Sequence, residues 1–246
     1  MDKSQYIGIT ETSDPCFHLE IFDNLYEGNI IVTKNLTDKL IEKLIEHHEK
    51  CILHFTVTGM GGSKIEPLVP SLETSVKKFK KLIDGGFPVN QVVLRIDPII
   101  PTEKGIVTAK NVLEAFIDFG IKRVRISFLD MYKHVKERFI DANMRLPYKD
   151  FHADEWTRQE AYRKIWECAR LYGYDIIGTC GEPGFISTPC ISQTDIDILG
   201  LTDKIKLEGN KEQRTHCGCP ANKRQLIKEK PHRCEHKCLY CFWKEE

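Results

Sequence analysis

The sequence predicts an α/β fold, most simply a partial (βα)6 barrel of the TIM type followed by a cysteine-rich C-terminal segment. Three observations predict it. Short β-branched runs alternate with longer amphipathic stretches through the first 180 residues. Several of these runs are apolar on both faces, as expected of parallel strands covered by helices on one side and packed inward on the other. The alternation stops near residue 200, beyond which the chain is polar and carries cysteines. Boundaries of 1–200 for the barrel and 201–246 for the cysteine-rich segment follow.

Taken in order, strands are predicted at YIGIT (6–10), NIIVTK (29–34), ILHFTVT (52–58), QVVLRI (91–96), KRVRISFL (122–129) and YDIIGT (174–179). Helices are predicted over 15–27, 37–49, 71–85, 107–119 and 154–172. Thr37, Ser71 and Asp154 stand where an N-cap side chain would accept a first-turn amide hydrogen. Six strand–helix units suit a partial barrel, but a doubly wound open sheet meets the same periodicity. In both, functional groups collect at the C-terminal ends of the strands. Those ends here carry Thr58-Gly59-Met60-Gly61-Gly62, Arg95-Ile96-Asp97-Pro98, Ser127 with Asp130, and Thr179-Cys180-Gly181-Glu182.

The 36 basic residues cancel the 36 acidic ones, so no global field gathers nucleic acid or an anionic membrane around the chain. The N-terminus lacks the basic start and apolar run of a secretory signal, and no apolar stretch reaches about eighteen residues. A soluble cytoplasmic protein with no membrane partner is expected. Residues 210–246 hold nine Lys or Arg against five Glu, a local excess read as a solvated face.

Of ten cysteines, seven fall in the last 67 residues. In an intracellular chain such crowding points to metal or redox chemistry rather than to disulfides. The tail ends Cys234-Glu-His-Lys-Cys238-Leu-Tyr-Cys241. Three thiolates so spaced can bind three irons of a four-iron cube and leave the fourth iron open to a ligand. The competing reading is a structural zinc site, for example on Cys217, Cys219, Cys238 and Cys241. Removing the triplet leaves Cys180, Cys190, Cys217 and Cys219, the number that saturates a second [4Fe-4S] cluster or a zinc ion. Alternatively, Cys180 and Cys190 form a redox or catalytic thiol pair, or are ordinary buried cysteines. Cys16, Cys51 and Cys168 are read as core residues, and His216, His232 and His236 as solvated surface histidines.

The CxxxCx-aromatic-C triplet resembles that of the radical S-adenosylmethionine superfamily, whose members carry it on a partial (βα)6 barrel. More closely, the chain resembles a bacterial domain-of-unknown-function family, distantly like spore photoproduct lyase and described as DNA repair photolyase-like, that keeps the triplet at its C-terminus. The matching stretches are Thr33-Lys34-Asn35, Phe55-Thr56-Val57-Thr58-Gly59, Glu66-Pro67, Arg95-Ile96-Asp97-Pro98-Ile99, Ile126-Ser127-Phe128, Cys180-x-Glu182 with Cys190, and Cys217-Gly-Cys219. The superfamily usually places the triplet after the first barrel strand; here it occupies the last thirteen residues, so the tail must fold back over the barrel mouth. The resemblance implies a [4Fe-4S] cluster on Cys234, Cys238 and Cys241 that binds S-adenosylmethionine through its open iron and reductively cleaves it to a 5′-deoxyadenosyl radical. It also implies an electron donor such as flavodoxin or ferredoxin, and oxygen sensitivity. The kinship nominates a nucleic acid or nucleotide as substrate, while zero net charge suits a small molecule better.

For the cosubstrate, Gly59, Gly61 and Gly62 offer main-chain groups after a strand, with Thr58 beside them and Glu66 four residues on. Arg95 and Asp97 alternate with apolar residues and so share a face, where they bind the cosubstrate or form an internal ion pair. Ser127 is a further binding candidate, and Cys180 and Glu182 are catalytic candidates. A function of a different class is also open: a zinc-stapled module whose basic tail binds nucleic acid or a partner, without radical chemistry.

Overall fold

Residues 5–179, 182, 185, 187–209, 217–228 and 233–244 are described by the structure, a computed structural model. Seven strands form one parallel sheet: β1 (Ile7–Ile9), β2 (Gly28–Thr33), β3 (Cys51–Thr56), β4 (Val92–Ile99), β5 (Arg123–Phe128), β6 (Ile176–Thr179) and β7 (Lys223–Gln225). The helices are α1 (Asp38–Glu46), α2 (Leu72–Asp84), α3 (Glu103–Ala115), α4 (Lys133–Asp141), α5 (Glu155–Leu171) and α6 (Gln193–Ile198). The spatial order is β6-β5-β4-β3-β2-β1-β7. A doubly wound sheet reverses its strand order at a switch point. From β1 to β6 this sheet does not, and crossovers of one hand put their helices on one face.

Alternation along β3 shows the two faces. Cys51, Leu53 and Phe55 pack beneath the helices with Leu40, Phe79, Val112 and Ile165. Ile52 points the other way, joining Ile7, Ile30 and Val93 against Cys190, Ile191, Ile196, Cys217 and Cys219. The segment around α6 therefore plugs the inner face, and β7 brings the C-terminal segment into the sheet by parallel pairing of Lys223–Gln225 with Ile7–Ile9.

The three expected caps form: Thr37 accepts from Leu40 N at 3.2 Å, Ser71 from Thr74 N at 3.2 Å and Asp154 from Thr157 N at 2.9 Å. Other expectations need correction. The stretch 15–27 is two 3-10 helices, Pro15–Phe17 and Leu19–Asn24, because His18 between them leaves the helical region at φ −136°, ψ 56°. α3 starts four residues earlier than its apolar period, where the Thr102 hydroxyl caps Gly105 N at 3.2 Å.

Candidate functional site

A cavity of about 580 Å³ opens at the C-terminal ends of the strands. Its walls include Glu11 just after β1, Lys34 after β2, Thr56 of β3, Arg95 and Asp97 of β4, and Ser127 of β5. Cys234, Cys238 and Cys241 border it, and so do Cys190, Cys217 and Cys219. The described members of the two cysteine sets distinguished in the sequence thus border one space. Cys180, together with His216 and His232, lies outside the described residues.

The triplet loop is fastened from several sides. Leu239 N donates to Ile65 O at 2.9 Å, and the Leu239 side chain inserts among Leu129, Val135 and Phe139. Arg138 of α4 donates to Cys241 O at 2.5 Å and to Trp243 O at 2.6 Å. The Tyr240 hydroxyl donates to Glu66. α4 is a helix the sequence did not announce, since only Val135 and Phe139 mark its buried face among charged residues.

Glu66 is fully buried. Besides Tyr240 it accepts from Thr58 Oγ1 at 2.5 Å and pairs with Lys34 Nζ at 3.2 Å. Lys34 also donates to Asp97 O at 3.2 Å and lies 5.2 Å from the Tyr240 ring centroid. Burial lowers the Lys34 ammonium's pKa, but the charges of Glu66, Cys238 and Asp97 outweigh it and leave a net rise. A cation therefore stands beside Cys238. The turn that delivers Glu66 needs its glycines: Gly59 and Gly62 both have φ of +76°, and a Cβ on Gly61 would lie 1.9 Å from Pro70 O. Thr58, Gly59, Gly61, Gly62 and Glu66 thus meet behind the cysteine loop rather than in the cavity wall, whereas Arg95, Asp97 and Ser127 line the wall itself.

His236, expected on the surface, is only 1% exposed. Its Nε2 lies 2.9 Å from Asp14 Oδ2 and its Nδ1 3.2 Å from Leu68 O, while the Phe17 ring packs at a tilt of 56° with its centroid 4.9 Å away. Asp14, Cys16 and His236 bring ligand atoms within 4.8 Å of one another. Both ring nitrogens face acceptors, however, and Asp14 also accepts from Thr33 Oγ1, Cys16 N and Lys34 N. These donors fill its lone pairs, so the trio is a clamp that ties the CxxxCxxC loop to the β1 end. Replacing His236 by Ala removes a charge-assisted bond while leaving Asp14 its other donors, and should cost about 2–3 kcal/mol in urea unfolding.

Arg95 and Asp97 form a close ion pair on the cavity wall. Ser127 Oγ donates to Glu182 Oε1 at 3.1 Å, and Phe128 N donates to the same oxygen at 2.8 Å. Burial raises the Glu182 carboxyl above its usual range despite those donors, and Arg158 of α5 stands 3.6 Å away. At the other wall Cys190 N donates to Cys219 Sγ at 3.3 Å. Burial and the neighbouring Cys190 raise the Glu11 carboxyl, opposed by Lys223 at 2.8 Å. In the triplet, burial pushes the Cys234 thiol up to about 11 and Cys238 to about 12, and raises Cys241 as well. A metal bound there would displace those protons.

Sequence reasoning missed His54 and, of the guanidiniums around it, Arg123 and Arg125. His54 of β3 is fully buried and neither ring nitrogen has a hydrogen-bond partner among the described residues. Burial, Arg125 and Arg95 hold its pKa well below the ordinary histidine value, so the ring is neutral. A lone histidine inside an apolar strand reads as core, and only the structure shows what it faces.

A family model described as Domain of unknown function (DUF1848) matches residues 20–243, which include all three triplet cysteines. No curated protein matches the chain. Among solved structures, a lysine/ornithine decarboxylase from Vibrio vulnificus, complexed with cadaverine, is similar over 62% of this chain at 14% identity and a TM-score of 0.36. The match covers 39% of that enzyme's length. No helix among the described residues is long and apolar enough to cross a membrane.

Proposed function

The chain belongs to the DUF1848 family, and from its site we propose that it is a radical S-adenosylmethionine enzyme whose Cys234, Cys238 and Cys241 hold a [4Fe-4S] cluster. The observation that carries this reading is the convergence of the three thiols, on one fastened loop, with the C-terminal ends of five parallel strands around a single cavity. The reading takes the sheet as a partial (βα)6 barrel with the tail crossing its mouth. Its DNA repair photolyase-like kinship belongs to the same proposal.

The donor set fits such a group. Three thiols on one loop bind three irons of a cube and leave the fourth open, whereas a structural zinc site is closed by four ligands. The volume of about 580 Å³ falls in the small-molecule range of about 300–1,000 Å³.

When bound, the cluster supplies the electron that splits the sulfonium bond of S-adenosylmethionine. The chain's residues do the rest. Lys34 offsets negative charge beside Cys238. Arg95 and Asp97 offer opposite charges to the amino acid end of the cosubstrate, and Ser127 a hydroxyl. Phe128, Leu129, Tyr132 and Trp243 supply apolar wall and exclude water. Thr58, Gly59, Gly61, Gly62 and Glu66 act on the cosubstrate by holding Tyr240 and Lys34 in place. A small molecule or nucleotide is the substrate class that suits the cavity, and a flavodoxin or ferredoxin the reductant.

Anaerobically prepared wild type, reduced and incubated with S-adenosylmethionine, should release 5′-deoxyadenosine and absorb near roughly 400 nm. Colourless protein with stoichiometric zinc and no nucleoside product would support a zinc-stapled binding module instead.

A further inference from the structure

We infer that Cys190, Cys217, Cys219 and His54 form a second metal centre, an iron–sulfur cluster held by three thiolates and one imidazole, on the inner face of the sheet. This centre uses none of the triplet residues, so it stands or falls separately from the reading of Cys234, Cys238 and Cys241.

Three observations converge. First, the strand register fixes where His54 points. Val32 of β2 and Val93 of β4 are its direct cross-strand partners. Aligned neighbours in a parallel sheet project to the same face. Val93 is part of the packed cluster that contains Cys190, Cys217 and Cys219, and Val32 packs against it. The imidazole therefore faces the three thiols, while Leu53 and Phe55 on either side of it face the helices.

Second, the ring is an orphan. A buried polar nitrogen without a partner is destabilising, and His54 has two among the described residues, with the side chain fully buried. A metal bond gives one of them a partner, and the neutral ring has the lone pair to make it.

Third, the surroundings are cationic. Arg123 pairs with Asp195 at 2.5 Å, and Arg95 with Asp97. Arg125, 7% exposed, donates to Thr188 O at 2.6 Å and meets no carboxylate within ion-pair distance among the described residues. A buried guanidinium calls for an anion. Thr188 stands two residues before Cys190, so this bond holds the Arg125 guanidinium against the segment that carries that thiol. A cube with two positive charges on its core and three thiolates around it is a monoanion, which answers that charge. The centre assembles from ferrous iron, ferric iron and sulfide: three thiols release their protons to water, their sulfurs bond three irons, and an imidazole lone pair bonds the fourth. No net oxidation is required.

The test uses the full chain with Cys234, Cys238 and Cys241 all changed to Ala, reconstituted anaerobically with iron and sulfide. About four irons per chain should remain, and the reduced protein should show a nitrogen hyperfine coupling in pulsed EPR. Adding His54→Ala should abolish the coupling and lower retained iron at least roughly tenfold. Adding His54→Cys instead should restore the iron without the coupling, which separates loss of a ligand from failure to fold. The inference is overturned if the triple variant keeps no iron or takes up only zinc. It is equally overturned if the coupling survives His54→Ala, or if Cys180→Ala empties the site while His54→Ala leaves it full. Absence of 5′-deoxyadenosine from wild type, with four irons still held by the triple variant, would sink the proposed function and leave this centre standing.

Discussion

Full-length protein carrying Cys238→Ala, purified and reconstituted without oxygen, is expected to hold about four irons fewer than wild type and to form no 5′-deoxyadenosine above background. Cys238 is the most buried of the triplet at 4% exposure, and it has the Lys34 ammonium beside it. Two thiols cannot replace three, because the irons they leave open are exchanged by solvent. Changing a residue one hydrogen bond removed from a metal ligand costs about 10–100-fold in affinity. Losing the ligand itself should therefore lower retention by more than roughly a hundredfold. Cys51→Ala is the matching control: that thiol is buried among the helix-side apolar residues, away from the cavity. It should cost some stability and no iron. Equal iron in Cys238→Ala and wild type, measured by elemental analysis, would remove the triplet as a cluster site.

Much of this arrangement is legible in the sequence, and the reasons are physical. The strands at 52–58 and 91–96 carry unbroken apolar runs because both faces of a parallel sheet are covered, and β3 and β4 lie there. The caps at Thr37, Ser71 and Asp154 are local events three residues long, so no tertiary knowledge is needed to find them. β7 is different. Lys-Arg-Gln has neither alternation nor β-branching, and its place is set by main-chain pairing with β1, more than 200 residues away in sequence. α6 is six residues long and anchored by the buried Asp195–Arg123 pair, a contact between distant segments that no periodicity encodes.

The site shows the same division. Cysteine spacing announced the triplet, the count of remaining cysteines singled out Cys190, Cys217 and Cys219, which also border the cavity, and polar residues at strand ends announced Arg95, Asp97 and Ser127 on its wall. His236 was misread because a histidine amid Lys, Arg and Glu has the composition of a solvated surface. Its burial depends on Asp14, 222 residues earlier, accepting its Nε2 hydrogen. Glu66 stood out in the sequence as a cosubstrate-binding candidate, but its work of joining Thr58, Lys34 and Tyr240 could be read only from the fold.

That junction sets the second large effect. Glu66→Ala is expected to destabilise the protein by about 3–5 kcal/mol, because removing one partner of a buried pair strands the other's charge. For a chain of this size each kcal/mol shifts the melting temperature by about 2–4 °C, so calorimetry should register a fall of about 6–20 °C. Among the described residues Lys34 would keep the Asp97 carbonyl and the Tyr240 ring face as close partners, with no carboxylate in ion-pair contact. The cause can be isolated by removing the charge as well. Lys34→Met with Glu66→Ala leaves no stranded ammonium, and the double variant should recover at least half of the loss, since replacing both members of a buried pair with apolar groups is often nearly neutral. Equal melting temperatures for the single and double variants would instead trace the damage to the lost Thr58 and Tyr240 hydrogen bonds. Iron retention separates these causes again. Tyr240 stands directly before Cys241, so if its bond to Glu66 orients the loop, the double variant regains stability while its iron content stays below that of wild type.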